Sequence, residues 1–348
     1  MNPIEQRKQR WNDFYDWNTG DETRVLFQIN YSAPYLAPPP PLLPGCKQER
    51  IEFAWQRYLE QLERTTWLED DTIPNFLLMS GTTIFAEPLG SAPYYSPASY
   101  WPGTQPIIFS PEDVKKVRIP RLEDSSLMMY FDMADELQAR GGRDILFNLP
   151  DMLCPMDILA QLWDKNDLYV SMVDEPKLVR ELAVKIRTFF CEFMDEWFRR
   201  YGTEFIAHHP SYYMNGGISV TVDEIGTISA DMYRQFFEED LHFLSQRYGG
   251  MGIHCCANSR HQWENLSKIP GLRMLNLYRP EKVLAESYTY FRYITCMWPG
   301  KMEGGIPEPM INPQKADLPR GCRLVLTENA SSRDEALRIA ERMHREYR

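Results

Sequence analysis

His254 and Cys256 stand two positions apart at the end of a short apolar run, in Ile253-His254-Cys255-Cys256-Ala257-Asn258-Ser259. Imidazole nitrogen and thiolate sulfur are ligands that zinc prefers, and residues two apart in a strand project to the same side, so both can converge on one ion. Cys255 then points the other way, into packing. Buried cysteine beside histidine is also common as plain core, so the surrounding sequence has to decide. Glu224 follows another apolar run, 218–222, and is a candidate for orienting substrate or moving a proton; a surface carboxylate is the plainer reading. Asn30, Asn148 and Tyr278 close further apolar runs and are candidate substrate contacts at the same face. His208-His209 is another pair of metal-type residues, but adjacent side chains in a strand diverge, which places this pair in a surface loop.

Chemistry at that spacing needs a scaffold that brings strand ends together. Short apolar runs at 24–30, 75–80, 144–148, 218–222, 251–254, 272–277, 292–297 and 323–327 read as strands. Helical spacing fills the intervals, at 48–68, 125–140, 156–162, 175–201, 229–248, 260–268, 280–290 and 331–347. Ser229 and Ser331 sit at cap positions, and Ser110-Pro111-Glu112-Asp113 has the cap, first-turn proline and acids of a helix start. About eight alternations of strand and helix predict a parallel (β/α)8 TIM barrel, an α/β fold, with an open doubly wound sheet as the alternative. No glycine-rich phosphate fingerprint follows any strand, which argues against a nucleotide fold. The long loop 82–105 carries Tyr94, Tyr95, Tyr100 and Trp101, a candidate lid or docking surface.

The 348 residues contain no Gly/Ser or charged linker, so residues 1–348 are expected to form a single barrel domain with an N-terminal helical extension. With 43% hydrophobic and 25% charged residues the chain can bury an ordinary core. A net charge of −11 spread along the chain, without a basic cluster, disfavours nucleic acid. The first residues lack the apolar core of a signal peptide, and no run of about 18 apolar residues could span a bilayer. A cytoplasmic protein without membrane attachment is expected. Seven dispersed cysteines do not make a disulfide framework in a chain of this length.

The chain resembles the uroporphyrinogen decarboxylase superfamily, and most closely its branch of zinc-dependent, corrinoid-linked methyltransferases. Three blocks carry the likeness: Ser110 to Lys116, Asp223 to Ser229 with Met232 to Phe236, and His254 to Ser259. The resemblance implies a (β/α)8 barrel, zinc, and methylcobalamin or a corrinoid protein as co-substrate and partner. It also implies a thiol, methoxy or methylamine compound as the small-molecule methyl acceptor or donor; a homodimer is one expected assembly. Its zinc pattern, His-x-Cys plus a further Cys near the last strand, matches His254 and Cys256. For the third ligand, Cys322 precedes strand 323–327 and so falls at the wrong end of a barrel. Glu328 or Asn329 falls at the right end, and Glu328 is the expected ligand, with Cys296, placed near the end of strand 292–297, in reserve. Decarboxylases of the superfamily carry an arginine-rich loop after the first strand, whereas Asn30-Tyr31-Ser32-Ala33-Pro34-Tyr35 has no cation. That departure disfavours a porphyrinogen substrate. A metal-free carboxy-lyase using Arg260, Arg279 or Arg292, and a non-catalytic binding barrel, are the alternatives.

Overall fold

The computed structural model describes residues 2–96, 99–303, 306–308 and 312–348. The strands of its two larger sheets are β1 (Arg24–Asn30), β2 (Asn75–Leu77), β3 (Leu146–Asn148), β4 (Glu204–Ile206), β5 (Tyr213–Asn215), β6 (Ile218–Thr221), β7 (Met251–Cys255), β8 (Leu272–Arg279), β9 (Cys296–Glu303), β10 (Ile306–Glu308) and β11 (Arg323–Asn329). One sheet runs β1-β11-β9-β8-β7-β6, with β10 hydrogen-bonded beside β9, and a second runs β2-β3-β4-β5. Within these two sheets pairing is parallel except for β4 with β5 and β9 with β10; inside the loop 82–105, Pro93–Tyr94 and Gly103–Thr104 form a separate two-residue antiparallel ladder. Parallel strands need crossovers, and helices supply most of them. The result is an α/β fold with mostly parallel sheets and many helices, consistent with the expected barrel; among the described residues the ladders do not join into one closed ring.

The two sheets are linked by different devices at their two junctions. Beyond β3, a parallel bridge pairs Leu153 with Thr221, reinforced by Cys154 N to Thr221 O at 2.9 Å and Thr221 N to Met152 O at 2.8 Å. Between β1 and β2, carboxylates stand in for a ladder: Asp71 Oδ2 accepts from Phe27 N at 2.9 Å and Asp70 Oδ2 from Ile29 N at 3.0 Å. Buried acids need partners. The N-terminal helix Pro3–Tyr15 provides them, with Arg10 Nε 2.6 Å from Asp71 Oδ1 and Arg7 Nη2 3.6 Å from Asp70 Oδ1, while Trp11 Nε1 donates to the Asp71 backbone carbonyl at 2.8 Å. The expected N-terminal helix thus seals the start of the sheet, and Phe14 O accepts from the buried Arg323 at 2.6 Å.

Three expectations need correction. The strand expected at 292–297 begins at Cys296 and runs to Glu303, because Tyr293 adopts a left-handed φ of 65° that no strand accommodates. Pro299-Gly300, which reads as a turn signal, lies inside that strand. The helix expected at 229–248 is two, Ala230–Phe236 and Glu238–Tyr248, and Pro111–Lys116 is a 3-10 helix rather than an α-helix. The β4–β5 hairpin had no counterpart among the expected elements.

Candidate metal centre

Asp223, His254 and Cys256 offer an oxygen, a nitrogen and a sulfur, all within 4.8 Å of one another. They come together because β6 and β7 are parallel neighbours with Thr221 in register with His254, so the turns leaving both strands meet at one edge. The backbone after β6 is pinned from below: Asp157, on the helix Pro155–Leu162, accepts from Asp223 N at 2.6 Å and Glu224 N at 3.3 Å. So held, the Asp223 carboxylate accepts from Cys256 N at 2.6 Å and from Cys256 Sγ at 3.2 Å. Burial, and then the Asp223 charge, push the Cys256 thiol up to about 12. Cys255 turns away as expected, toward Ser259 Oγ at 3.4 Å and Ala257 O at 3.7 Å.

His254 is buried and its tautomer is set from β8. Asn276, in register with it across the ladder, gives its Nδ2 to Trp298 O at 2.6 Å. That bond fixes the Asn276 amide so that Oδ1 meets His254 Nδ1. An amide oxygen can only accept. Nδ1 therefore carries the proton, and Nε2 keeps its lone pair for a ligand bond, the arrangement that supporting residues impose on metal-binding histidines.

Two rings flank His254. The His209 ring lies 4.8 Å from it, the Tyr278 ring 5.8 Å, and His209 and Tyr278 stack on each other at 5.7 Å. Tyr278 lies flat over Gly300 of β9, where an added Cβ would sit 2.6 Å from a ring carbon. Burial against protein, and then the neighbouring His254 and His208, lower the His209 pKa, while part of the residue stays open to solvent. His208 Nε2 lies 3.4 Å from Asp151 Oδ2, and the Trp101 ring lies 6.5 Å from His208. Burial raises the Asp151 carboxyl above its ordinary range.

The sequence-derived residues divide accordingly. His254 and Cys256 meet, and Tyr278 borders them. Glu224 stands outside the three-residue group, its carboxylate taken by Lys165 Nζ at 2.5 Å and Tyr169 OH at 2.7 Å. Glu328 stands outside the three-residue group, paired with Arg342 and accepting from Asn312 Nδ2 at 2.8 Å. Cys296 is the first residue of β9, at the opposite end of the strands, with Sγ 3.5 Å from Phe14 O. Cys322 precedes β11, as expected, with its thiol pushed up to about 12 by burial. Asn30 Nδ2 donates to Asn329 Oδ1 at 3.0 Å, and buried Asn148 donates to Ala207 O at 2.5 Å. Arg279 donates to Cys256 O at 2.5 Å, Arg260 pairs with Glu286 at 2.6 Å, and Arg292 lies over the Tyr293 ring at 5.9 Å. The loop holding His208 and His209 lies against the metal group because the β4–β5 hairpin turns there.

Sequence reasoning passed over Asp223, Asn276 and Asp151. A signal existed for the first two. Asp223-Glu224 is a pair of adjacent acids of which only one can face a strand end, and Asn276 is an amide inside the apolar run 272–277.

Among solved structures, the chain is similar to a methyltransferase from Methanosarcina mazei, with a TM-score of 0.58, 12% sequence identity, and coverage of 86% of this chain and 87% of that one. At that identity the likeness shows the fold. No family model and no curated protein matches the sequence.

Proposed function

We propose that this chain is a zinc-dependent methyltransferase, a single-domain (β/α)8 barrel of the cytoplasm that acts with a corrinoid protein or methylcobalamin and moves a methyl group to or from a thiol, methoxy or methylamine compound. The observation that carries the reading is the convergence of Asp223, His254 and Cys256 at the ends of adjacent parallel strands. Active sites of such barrels lie at this end. The donor set fits zinc, since carboxylate, imidazole and thiolate are all zinc ligands, and three protein ligands leave a position for substrate, as catalytic sites require. Asp223 and the Cys256 thiolate together would offset the charge of a dication.

Bound zinc would supply Lewis acidity, lowering the pKa of a thiol or polarising a methyl donor's heteroatom. The residues around it have separate tasks. Asn276 orients His254, Asp157 holds the backbone that presents Asp223, and the Tyr278 and His209 rings stand beside His254. Glu328, initially expected as third ligand, is replaced in this reading by Asp223, because its carboxylate is engaged by Arg342 and Asn312.

Elemental analysis of protein purified without chelator tests the proposal. The expected result is near one zinc per chain in the wild type and in Glu328→Gln, with loss in Cys256→Ser and Asp223→Asn. Methyl transfer between methylcobalamin and simple thiols should follow the zinc. Metal-free wild type after zinc supplementation would overturn it and favour a metal-free carboxy-lyase.

A further inference from the structure

A cavity of about 650 Å³ opens beside the C-terminal end of β1, within the range of small-molecule sites. One face of the helix Lys47–Arg64 lines it, since Phe53, Arg57, Glu60 and Arg64 follow one another at spacings of three and four. Glu60 and Arg64 are committed to the protein: Arg64 Nη1 donates to Tyr31 O at 2.6 Å and lies 4.0 Å from Glu60 Oε1. Arg57 differs. Its Nη1 is buried and has no hydrogen-bond partner, although a guanidinium N–H forms its strongest bonds with an oxyanion, often through two parallel contacts.

The charges in the cavity wall are therefore two guanidinium groups against one carboxylate, which leaves one positive charge for an occupant. Phe53, Leu36 and Pro38 supply apolar wall. Ser211 borders the cavity too, two residues beyond His209, and Gln28 Nε2 holds its carbonyl at 3.0 Å. An occupant would thus lie against the segment that flanks His254.

We infer that this cavity binds a small organic monoanion, its carboxylate held by Arg57 and its apolar body lying against Phe53. The site goes beyond the metal reading and stands on its own residues. Charge selects the head group, and the cavity's size and apolar wall select a compact body over a polyanion.

Benzoate, hexanoate, benzyl alcohol and inorganic phosphate, titrated into the full-length chain by calorimetry, test this. Benzoate and hexanoate are expected to bind at least tenfold more tightly than benzyl alcohol or phosphate. Arg57→Gln should weaken benzoate at least tenfold, Arg57→Lys should recover part of that loss, and Phe53→Ala should weaken benzoate with the charge intact. Equal binding of benzoate and benzyl alcohol, or of benzoate and phosphate, would overturn the inference; this comparison needs no variant and so survives any folding defect. Unchanged benzoate affinity in a folded Arg57→Gln protein would overturn it as well. Cys256→Ser should bind benzoate like the wild type, so loss of zinc and loss of the anion site are read separately.

Discussion

The Cys256 amide and thiol both donate to one carboxylate, that of Asp223, at 2.6 and 3.2 Å. This double contact ties the turn after β7 to the turn after β6 and adds to burial in keeping the thiol protonated. In the metal-free protein the neighbouring negative charge disfavours the thiolate, whereas a bound dication would favour it. One contact therefore orders the site and makes it depend on metal.

Replacing Asp223 by Asn removes that charge, so the Cys256 pKa should move down from about 12 toward the ordinary thiol range. Thiolate is the reactive form. Alkylation of Cys256 by iodoacetamide at pH 8 to 9, followed by peptide mass spectrometry on metal-free protein, should be several-fold faster in Asp223→Asn than in the wild type. Equal rates would show that burial alone sets the thiol.

Asn276 touches no candidate metal ligand except His254, yet it decides which ring nitrogen is free. Asn276→Ala should lower zinc affinity by roughly 10–100-fold, the usual effect of losing such a supporting contact. Competition with a chromogenic chelator measures it, and a wild-type far-ultraviolet dichroism spectrum would confirm that the loss is local. Asn276→Asp, which also accepts from Nδ1–H, should recover most of the affinity.

Asp71 should be a stability residue rather than a site residue. Its carboxylate is buried and accepts from Phe27 N while facing Arg10 at 2.6 Å and Arg348 at 2.8 Å. Asp71→Ala strands a strand amide and the two cations, and breaking a buried pair in this way costs about 3–5 kcal/mol. Urea unfolding should show a loss of that order, with zinc stoichiometry unchanged at low denaturant.

The sequence made the alternation of strands and helices legible because apolar periodicity is local, and His254 and Cys256 were legible because two ligands lay on one strand. Contacts between strands left a weaker trace. Asp223 meets Cys256 across 33 positions, and nothing local separates it from Glu224, whose carboxylate goes to Lys165 and Tyr169 instead. Glu328 looked suitable from its place at the end of β11, but its partner Arg342 lies a helix away, at a distance that strand reading does not weigh. Cys296 was misplaced because the left-handed Tyr293 delays the strand, which starts at Cys296 and runs on through Pro299-Gly300, where Gly300 leaves the space that Tyr278 occupies. The β4–β5 hairpin is two runs of three residues, too short for periodicity to mark, and it delivers His209 to the site.

Asp240 is buried on the helix Glu238–Tyr248, and burial raises its pKa to about 6 even though Arg187 stands 2.6 Å away. A carboxyl whose folded pKa lies above its unfolded value near 4 binds more protons in the native state between those values. Its contribution to stability is therefore greatest below pH 4, declines as pH rises to about 6, and is constant above that. The span corresponds to about 3 kcal/mol at most. Asp240→Asn cannot titrate, so urea unfolding measured from pH 4 to 7 should give a flatter profile than the wild type, whatever the absolute stability of the variant. Arg187 retains a partner in Glu239 at 3.4 Å, which keeps its charge compensated in that variant. Parallel profiles for the two proteins would mean that Asp240 titrates in the native state as it does in the unfolded chain.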